Sequence, residues 1–509
     1  MRVEAVNLSH FVYDTHDIST IRGGSYILLE AIERIAKQFS GRLYVISTAA
    51  SQGLFFFDCE DNTTEGDKEK LRAEVLKFLR TETRGHATFL VAVEKDEQNF
   101  PLTLEKLEAQ IHRQQWRTPT VIVPNFEKTE QECFLDGWRP GTREYRADMS
   151  DVRISTTTRF RRDVGIILKR QLFSMLLKSK KYTDNLCSKN LGELALDTDQ
   201  GVLNGKIAFI HIDGNSFGAI RRDLCVTPEL REQFDNTIQK KFREPFLESL
   251  LQQADKDPEF KTKDEEGHTA LRLEVLLWGG DEMTLIVPAW KGWEVLQLFF
   301  NQARNLTFAD IPLSHRAVII FSHHNAPILQ IRRLAEELLS QTKQDLQKNL
   351  IDALRTHPKF SQWDEAAQKE LVTQLSDHEY GNAIHYLVLE SFDMLQGSLS
   401  NFLSLYYQGV SYQSLLIPAY KLAELQQNVQ NVRPHIARSK VIEVIKAIQK
   451  GQPDPVAQVK QQIYDLIPSD KRNEVQAALE SLTQEWAGWY KLADLWDYIP
   501  ESLPLHFSN

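Results

Sequence analysis

The 509-residue chain has few cysteines and no CxxC pair: Cys59, Cys133, Cys187 and Cys225 lie far apart. That spacing speaks against a disulfide framework and against a zinc site, and fits a reducing cytoplasm. No apolar run approaches the roughly 20 residues of a membrane span, so no membrane association is expected. The first residues, MRVEAVNLSHF, lack the basic-then-apolar pattern of a signal peptide. Positive charge is not in excess either. The net charge is −10, so there is no global basic footprint for nucleic acid, and only a local groove is left open to RNA. What is present is an ordinary soluble composition, on a chain long enough that two or three domains are expected.

The stretch that organises the rest is LRLEVLLWGGDEMTLIVPAW, residues 271–290. Two strand-length apolar runs flank Gly279-Gly280-Asp281-Glu282, and paired glycines between such runs signal a tight hairpin turn. Read alone, the turn is either a solvated surface loop or a place to hold a divalent cation. Upstream, IAFIHIDGNSFGAIRRD (residues 207–223) reads as a buried strand that ends on Asp213 and enters a glycine-containing loop.

Residues 1–130 alternate strand and helix signals. VNLSHFVYD reads as a strand, SYILLEAIERIAKQF as an amphipathic helix, and RLYVISTAASQGLFFFD as two strands around a small-residue turn. KEKLRAEVLKFLRTE and HATFLVAVEK complete a βαββαβ order, the split arrangement of a ferredoxin-like sheet. Gly23-Gly24 reads either as a helix N-terminus able to hold an anion or as an ordinary capped start. Residues 131–203 read as a mixed linker region whose clustered arginines are by default a solvated face. The βαββαβ order recurs over residues 204–345, closing on HRAVIIFSHH and a helix led by Pro327. Residues 346–509 read as helical throughout, with an aromatic-rich end (Trp486, Trp489, Tyr490, Trp496, Tyr498) expected in the core. The fold class is therefore α+β: two ferredoxin-like domains followed by an α-helical C-terminal domain. The hairpin turn of the first half, Ala49-Ala50-Ser51-Gln52-Gly53, carries no acid, so only the second half is equipped for metal chemistry. The first half is then scaffold or a wall for the site.

In a βαββαβ sheet the first strand pairs centrally with the hairpin, which brings Asp213 and Asp281 toward each other. Two carboxylates in a small space repel unless a cation lies between them. Oxygen-only ligands suit Mg2+ or Mn2+, which keep waters and take substrate phosphates as further ligands. Such a site stabilises an in-line phosphoryl displacement and can activate a ribose hydroxyl. Gly214, Asn215, Ser216, Phe217 and Gly218 lead into a helix whose backbone N–H groups can receive a triphosphate. Glu282 is either a metal ligand or a group that positions the attacking hydroxyl. Lys343 is either a phosphate contact or an exposed helix lysine.

IDGNSFG, WGGDEM and VIIFSHHNAPILQIRRLAEELLSQTK, in this order, resemble the catalytic Palm domain of the large subunit of type III CRISPR effector complexes, a relative of GGDEF cyclases. DTHDISTIRGGSYILLEAIERI similarly resembles the entry to that family's first, non-catalytic Palm domain. The resemblance implies a two-Palm enzyme that joins ATP into cyclic oligoadenylate second messengers and releases pyrophosphate, in antiviral defence. It implies a first Palm over residues 1–130 and a catalytic Palm over 204–345. The family's metal aspartates fall on Asp213 and Asp281, its hairpin glycines on Gly279 and Gly280, and the triphosphate lysine of the GGDEF pattern on Lys343.

The chain departs from the family in three ways. Glu282 stands where the family has Asp, as in GGDEF cyclases; no HD nuclease domain is expected, the one His-Asp pair being His16-Asp17; and the cysteines cannot build a zinc module. The expected partners are a nucleoside triphosphate, ATP favoured, with a homodimer or CRISPR-type complex subunits both open. Other readings remain: a large scaffold subunit of an RNA-guided complex; a diguanylate-type cyclase, against which Met283 replaces the motif's Phe; and an inactive Palm protein binding nucleotides as a sensor, against which Asp213 and Asp281 are intact.

Overall fold

The structure, a computed structural model, describes residues 1–49, 51–57, 64–96, 98–117, 131–147, 150–182, 186–263, 267–309, 311–355, 381–390, 398–451 and 453–500. The fold is mixed α+β. It begins with β1 (Arg2–Val6), α1 (Ile18–Gln38), β2 (Leu43–Ala49), β3 (Gln52–Phe57), α2 (Glu65–Glu82) and β4 (Thr88–Ala92), followed by α3 (Phe100–Arg117). The strands hydrogen-bond antiparallel in the order β2-β3-β1-β4, which the split βαβ arrangement produces. The first strand lies upstream of its expected position: Arg2–Val6 alternates inward Val3 and Ala5 with outward neighbours, whereas Leu8–Phe11 closes into a short helix. Ile46, Leu54, Leu90 and Ala92 on one face of the sheet pack with Phe100, Leu107 and Ile111 of α3. Gln114 of α3 donates to the Val91 carbonyl at 2.9 Å, which occupies an acceptor on the edge strand β4.

The Gly23-Gly24 pair does not start a helix. α1 begins earlier, at Ile18, where the Asp17 carboxylate accepts the Thr20 N–H at 2.8 Å as an N-cap. The glycines instead permit close helix packing against α4 (Thr156–Leu176): a Cβ on Gly23 would collide with the Arg161 carbonyl, and one on Gly165 with that of Ser19. The clustered arginines also depart from a simple solvated face. Arg161 is fully buried and pairs with Asp14 at 2.7 Å, while Arg159 and Asp163 form the surface pair expected at this helical spacing. Cys133, Cys187 and Cys225 are buried free thiols; Cys59 lies outside the described residues.

From residue 204 the same strand order recurs. β5 (Lys206–Gly214) is followed by α5 (Phe217–Asp223), α6 (Pro228–Ile238), a π-helical turn (Gln239–Arg243) and α7 (Glu244–Lys256). Next come β6 (Glu274–Gly279), β7 (Glu282–Pro288), α8 (Gly292–Ala303), β8 (His315–His323) and α9 (Ile328–Arg355). β5 is buried along nearly its whole length, as its mostly apolar run predicts, with His211 and Asp213 buried among the apolar residues.

Two further strands complete this sheet: β9 (Ala383–Leu389), parallel to β8, and β10 (Ile417–Pro418), giving the order β6-β7-β5-β8-β9-β10. β9 corrects the expectation of helix throughout residues 346–509. AIHYLVL is a short apolar run with β-branched and aromatic residues, which helical spacing alone does not distinguish from a buried strand. The expected helix over residues 365–378 lies outside the described residues. The remainder is helical: α10 (Leu399–Tyr406), α11 (Leu422–Val432), α12 (Arg438–Gln449), α13 (Pro453–Leu466), α14 (Arg472–Leu482) and α15 (Trp486–Asp494). Trp489, Tyr490, Trp496 and Tyr498 are buried, while Trp486 is exposed. No helix among the described residues is long and apolar enough to cross a membrane.

The chain forms two compact units. The first holds Met1–Asn190, Ser216–Leu251 and Lys261–Thr284; the second holds Leu191–Asn215, Gln252–Phe260 and Leu285–Asn509. The stretch 204–345 thus contributes to both.

Candidate functional site

In the first unit, the turn between β6 and β7 sets the geometry. Gly280 has φ of 57°, the left-handed region that glycine enters without a steric penalty. A Cβ there would meet nothing within 4 Å, so the backbone conformation, and not space, calls for glycine. Asp281 is half-buried beside it, and Glu282 is exposed as the first residue of β7.

Under this turn lies Arg243, the last residue of the π-helical turn. It is 4% exposed, donates from Nη1 to the Gly280 carbonyl at 3.1 Å, and stacks 4.5 Å from the centroid of Trp278. Burial holds its pKa down to about 10, with the nearby charges of Asp281 and Glu244 opposing that shift. Gly279 and Gly280 also border a shallow, solvent-open pocket lined among others by Tyr26, Glu33, Thr48, Asp235, Arg243 and Trp278. Tyr26, Glu33 and Thr48 come from α1 and β2, so elements of the first half form one wall.

In the second unit, Asp213 is the penultimate residue of β5, 9% exposed, and its register partner on β8 is Arg316. Arg316 is itself 7% exposed, and burial lowers its pKa to about 10. Gly214 is buried opposite His315. The Asn215 side chain is engaged within the fold, donating to Ser314 Oγ at 2.9 Å and to the Gly381 carbonyl at 2.7 Å.

The continuation of this loop belongs to the first unit. Ser216 is exposed with φ of 58°, Gly218 is exposed, and Phe217 is a core residue in edge-to-face contact with Phe234 at 5.7 Å. Lys343 lies on α9, and its side chain is outside those described. Among the described residues no three or more His, Cys, Asp or Glu side chains gather as a ready metal cluster.

Sequence reasoning missed Arg243, because KKFREPF reads as one helical period and nothing in it announces a π-helical turn. Arg316 left a visible signal: a charged residue near the start of an otherwise unbroken buried strand, HRAVIIF.

No protein-family model matches the chain, and no curated protein matches it in sequence. Solved structures do match. One, described as a Csm1-Csm4 cassette in complex with cA4, aligns with a TM-score of 0.51 at 12% identity, covering 98% of this chain and 69% of that chain. Csm1 in T.onnurineus aligns with a TM-score of 0.40 at 13% identity, over 68% of this chain and 51% of that one, so this chain spans about half its length. An apo Csm1-Csm4 cassette aligns with a TM-score of 0.38 at 11% identity, over 91% and 69%. At these identities the likeness is one of fold, and the first alignment carries it. That alignment gives the chain a Csm1-like architecture.

Proposed function

We propose that this chain is a divalent-metal-dependent nucleotidyltransferase. It converts ATP, or another nucleoside triphosphate, into cyclic oligonucleotide second messengers with release of pyrophosphate, in the cytoplasm, as part of antiviral defence. The two βαββαβ segments act as Palm domains, the first non-catalytic and the second catalytic, followed by the helical tail. The observation that carries this reading is the Gly279-Gly280-Asp281-Glu282 turn, with Gly280 in the left-handed conformation, beside an open pocket whose wall mixes aromatic, cationic and acidic side chains. The first aligned solved structure, a cassette in complex with cA4, supports it at the level of fold.

Asp213 and Asp281 are the proposed metal ligands. The chemistry of the donors fits Mg2+ or Mn2+: these ions need only one or two protein carboxylates and take waters and substrate phosphates for the rest, so no larger acidic cluster is required. When bound, the ion supplies charge stabilisation for phosphoryl displacement. The remaining roles fall to the chain itself. Gly280 sets the turn that presents Asp281, and exposed Glu282 positions the attacking hydroxyl. The Gly214–Gly218 backbone and Lys343 receive the triphosphate.

The test is to incubate the purified chain with each nucleoside triphosphate and Mn2+ and to identify products by mass. Cyclic oligonucleotides support the reading, and intact substrate with all four rejects it. A second reading, favoured by the cassette form of the aligned structure, makes the chain a large subunit of an RNA-guided complex. Co-purification with guide RNA and partner subunits supports it; a homodimer or monomer free of RNA does not.

A further inference from the structure

Arg243 is a charged side chain that the stability of its surroundings does not explain. It is 4% exposed, and of its guanidinium groups only Nη1 has a hydrogen-bond partner, the Gly280 carbonyl at 3.1 Å; Nε and Nη2 are buried without one among the described residues. Burying a cation with most of its donors unpaired is unfavourable, and an apolar side chain of similar length removes that penalty. The backbone is also irregular here: Arg243 closes a π-helical turn, a distortion of helices that recurs at functional sites. Trp278 of β6 covers the guanidinium face at 4.5 Å, so the arginine is held in one place. A buried cation stacked on one ring, with the Asp281 and Glu244 charges nearby and a single hydrogen bond, is therefore best understood by the carbonyl that bond reaches. It belongs to the left-handed glycine immediately before Asp281.

We propose that Arg243 is a positioning residue for the Gly279-Gly280-Asp281-Glu282 turn: by holding the Gly280 carbonyl it fixes the direction in which Asp281 leaves the hairpin. A free carbonyl there lets the Gly280–Asp281 peptide rotate, and the carboxylate moves with it. In its consequence for catalysis, this inference rests on the proposed function of Asp281. In its consequence for the turn, it stands alone.

The test compares Arg243→Met and Arg243→Lys in the full chain by three readouts. These are thermal midpoint, amide hydrogen exchange over residues 274–288, and product formation from ATP with Mn2+. Arg243→Met is expected to melt near the wild-type temperature, since it removes a buried cation with two unpaired donors while giving up the charges of Asp281 and Glu244. It should raise exchange at the turn about tenfold, because the local structure opens more readily. It should lower kcat about a hundredfold, a larger change than any rise in KM for ATP that follows from the place of Arg243 in the pocket wall, as expected when a reacting group is misplaced and not lost. Arg243→Lys, which keeps a donor for the Gly280 carbonyl, is expected to restore part of both losses. A methionine variant that melts well below wild type, or one with unchanged exchange at the turn, overturns the inference. If the wild-type chain makes no product from any nucleoside triphosphate, the proposed function fails, and the exchange measurement alone decides the role of Arg243.

Discussion

Replacing Glu274 with Ala probes the contact that fastens β6, and with it the β6–β7 hairpin, to α1. Arg22 and Glu274 are each 1% exposed. The Arg22 guanidinium donates from Nε to Glu274 Oε1 at 2.9 Å and from Nη2 to Oε2. It also donates to the Gly165 carbonyl at 3.0 Å and the Ser188 carbonyl at 3.2 Å. Removing one partner of a buried pair costs about 3–5 kcal/mol because the other charge is left uncompensated. The two carbonyls that remain on Arg22 favour the lower end, about 3 kcal/mol. For a compact unit of this size, that loss lowers the melting temperature by roughly 6–12 °C. Calorimetry of Glu274→Ala measures it directly. The double variant Arg22→Met/Glu274→Leu supplies the control, since an apolar pair of similar volume is expected to recover most of the loss. A Glu274→Ala loss below about 1 kcal/mol, or a double variant no better than Glu274→Ala alone, refutes the reasoning.

Gly165→Ala should lower the melting temperature markedly, because its Cβ would meet the Ser19 backbone where α4 crosses α1; overpacking of this kind costs about 1–3 kcal/mol or more. A calorimetric scan in which that variant matches wild type contradicts the close crossing. Asp494 accepts hydrogen bonds from the hydroxyls of Tyr386, Tyr406 and Tyr407, yet burial raises its pKa to about 6. A carboxyl raised in the folded state favours folding while protonated, so this contribution is present below pH 4 and lost as pH climbs to about 6. Two pH units correspond to about 3 kcal/mol. Urea unfolding of Asp494→Asn should therefore show a flatter stability profile than wild type across that window, and equal slopes would count against the assignment.

Both strand orders were legible in the residues, because IAFIHID and HRAVIIF are mostly apolar runs of strand length and two glycines between apolar runs mark a hairpin. β9 was not, since a seven-residue apolar run carries no period that separates strand from helix, and its pairing with β8 joins distant parts of the chain. Gly23 illustrates a different gap. Two adjacent glycines in a loop-like stretch suggest an anion-binding helix start, but their partner, Gly165, lies far along the chain and only the folded structure pairs them. The Asp281 turn was readable from the motif. The cation beneath it was not, because a π-helical turn is set by packing and not by composition. Within the 214–218 loop, Phe217 and the Asn215 amide serve the fold, which leaves backbone and Ser216 as the groups facing outward.

The central claim is that Asp213 and Asp281 carry metal-dependent nucleotidyl transfer. Pyrophosphate release from ATP in Mg2+ or Mn2+, measured side by side for wild type, Asp213→Ala and Asp281→Ala at matched melting temperatures, tests it most directly. The account predicts pyrophosphate and a cyclic product from wild type and neither from the two variants. Wild-type rates in either variant would contradict it.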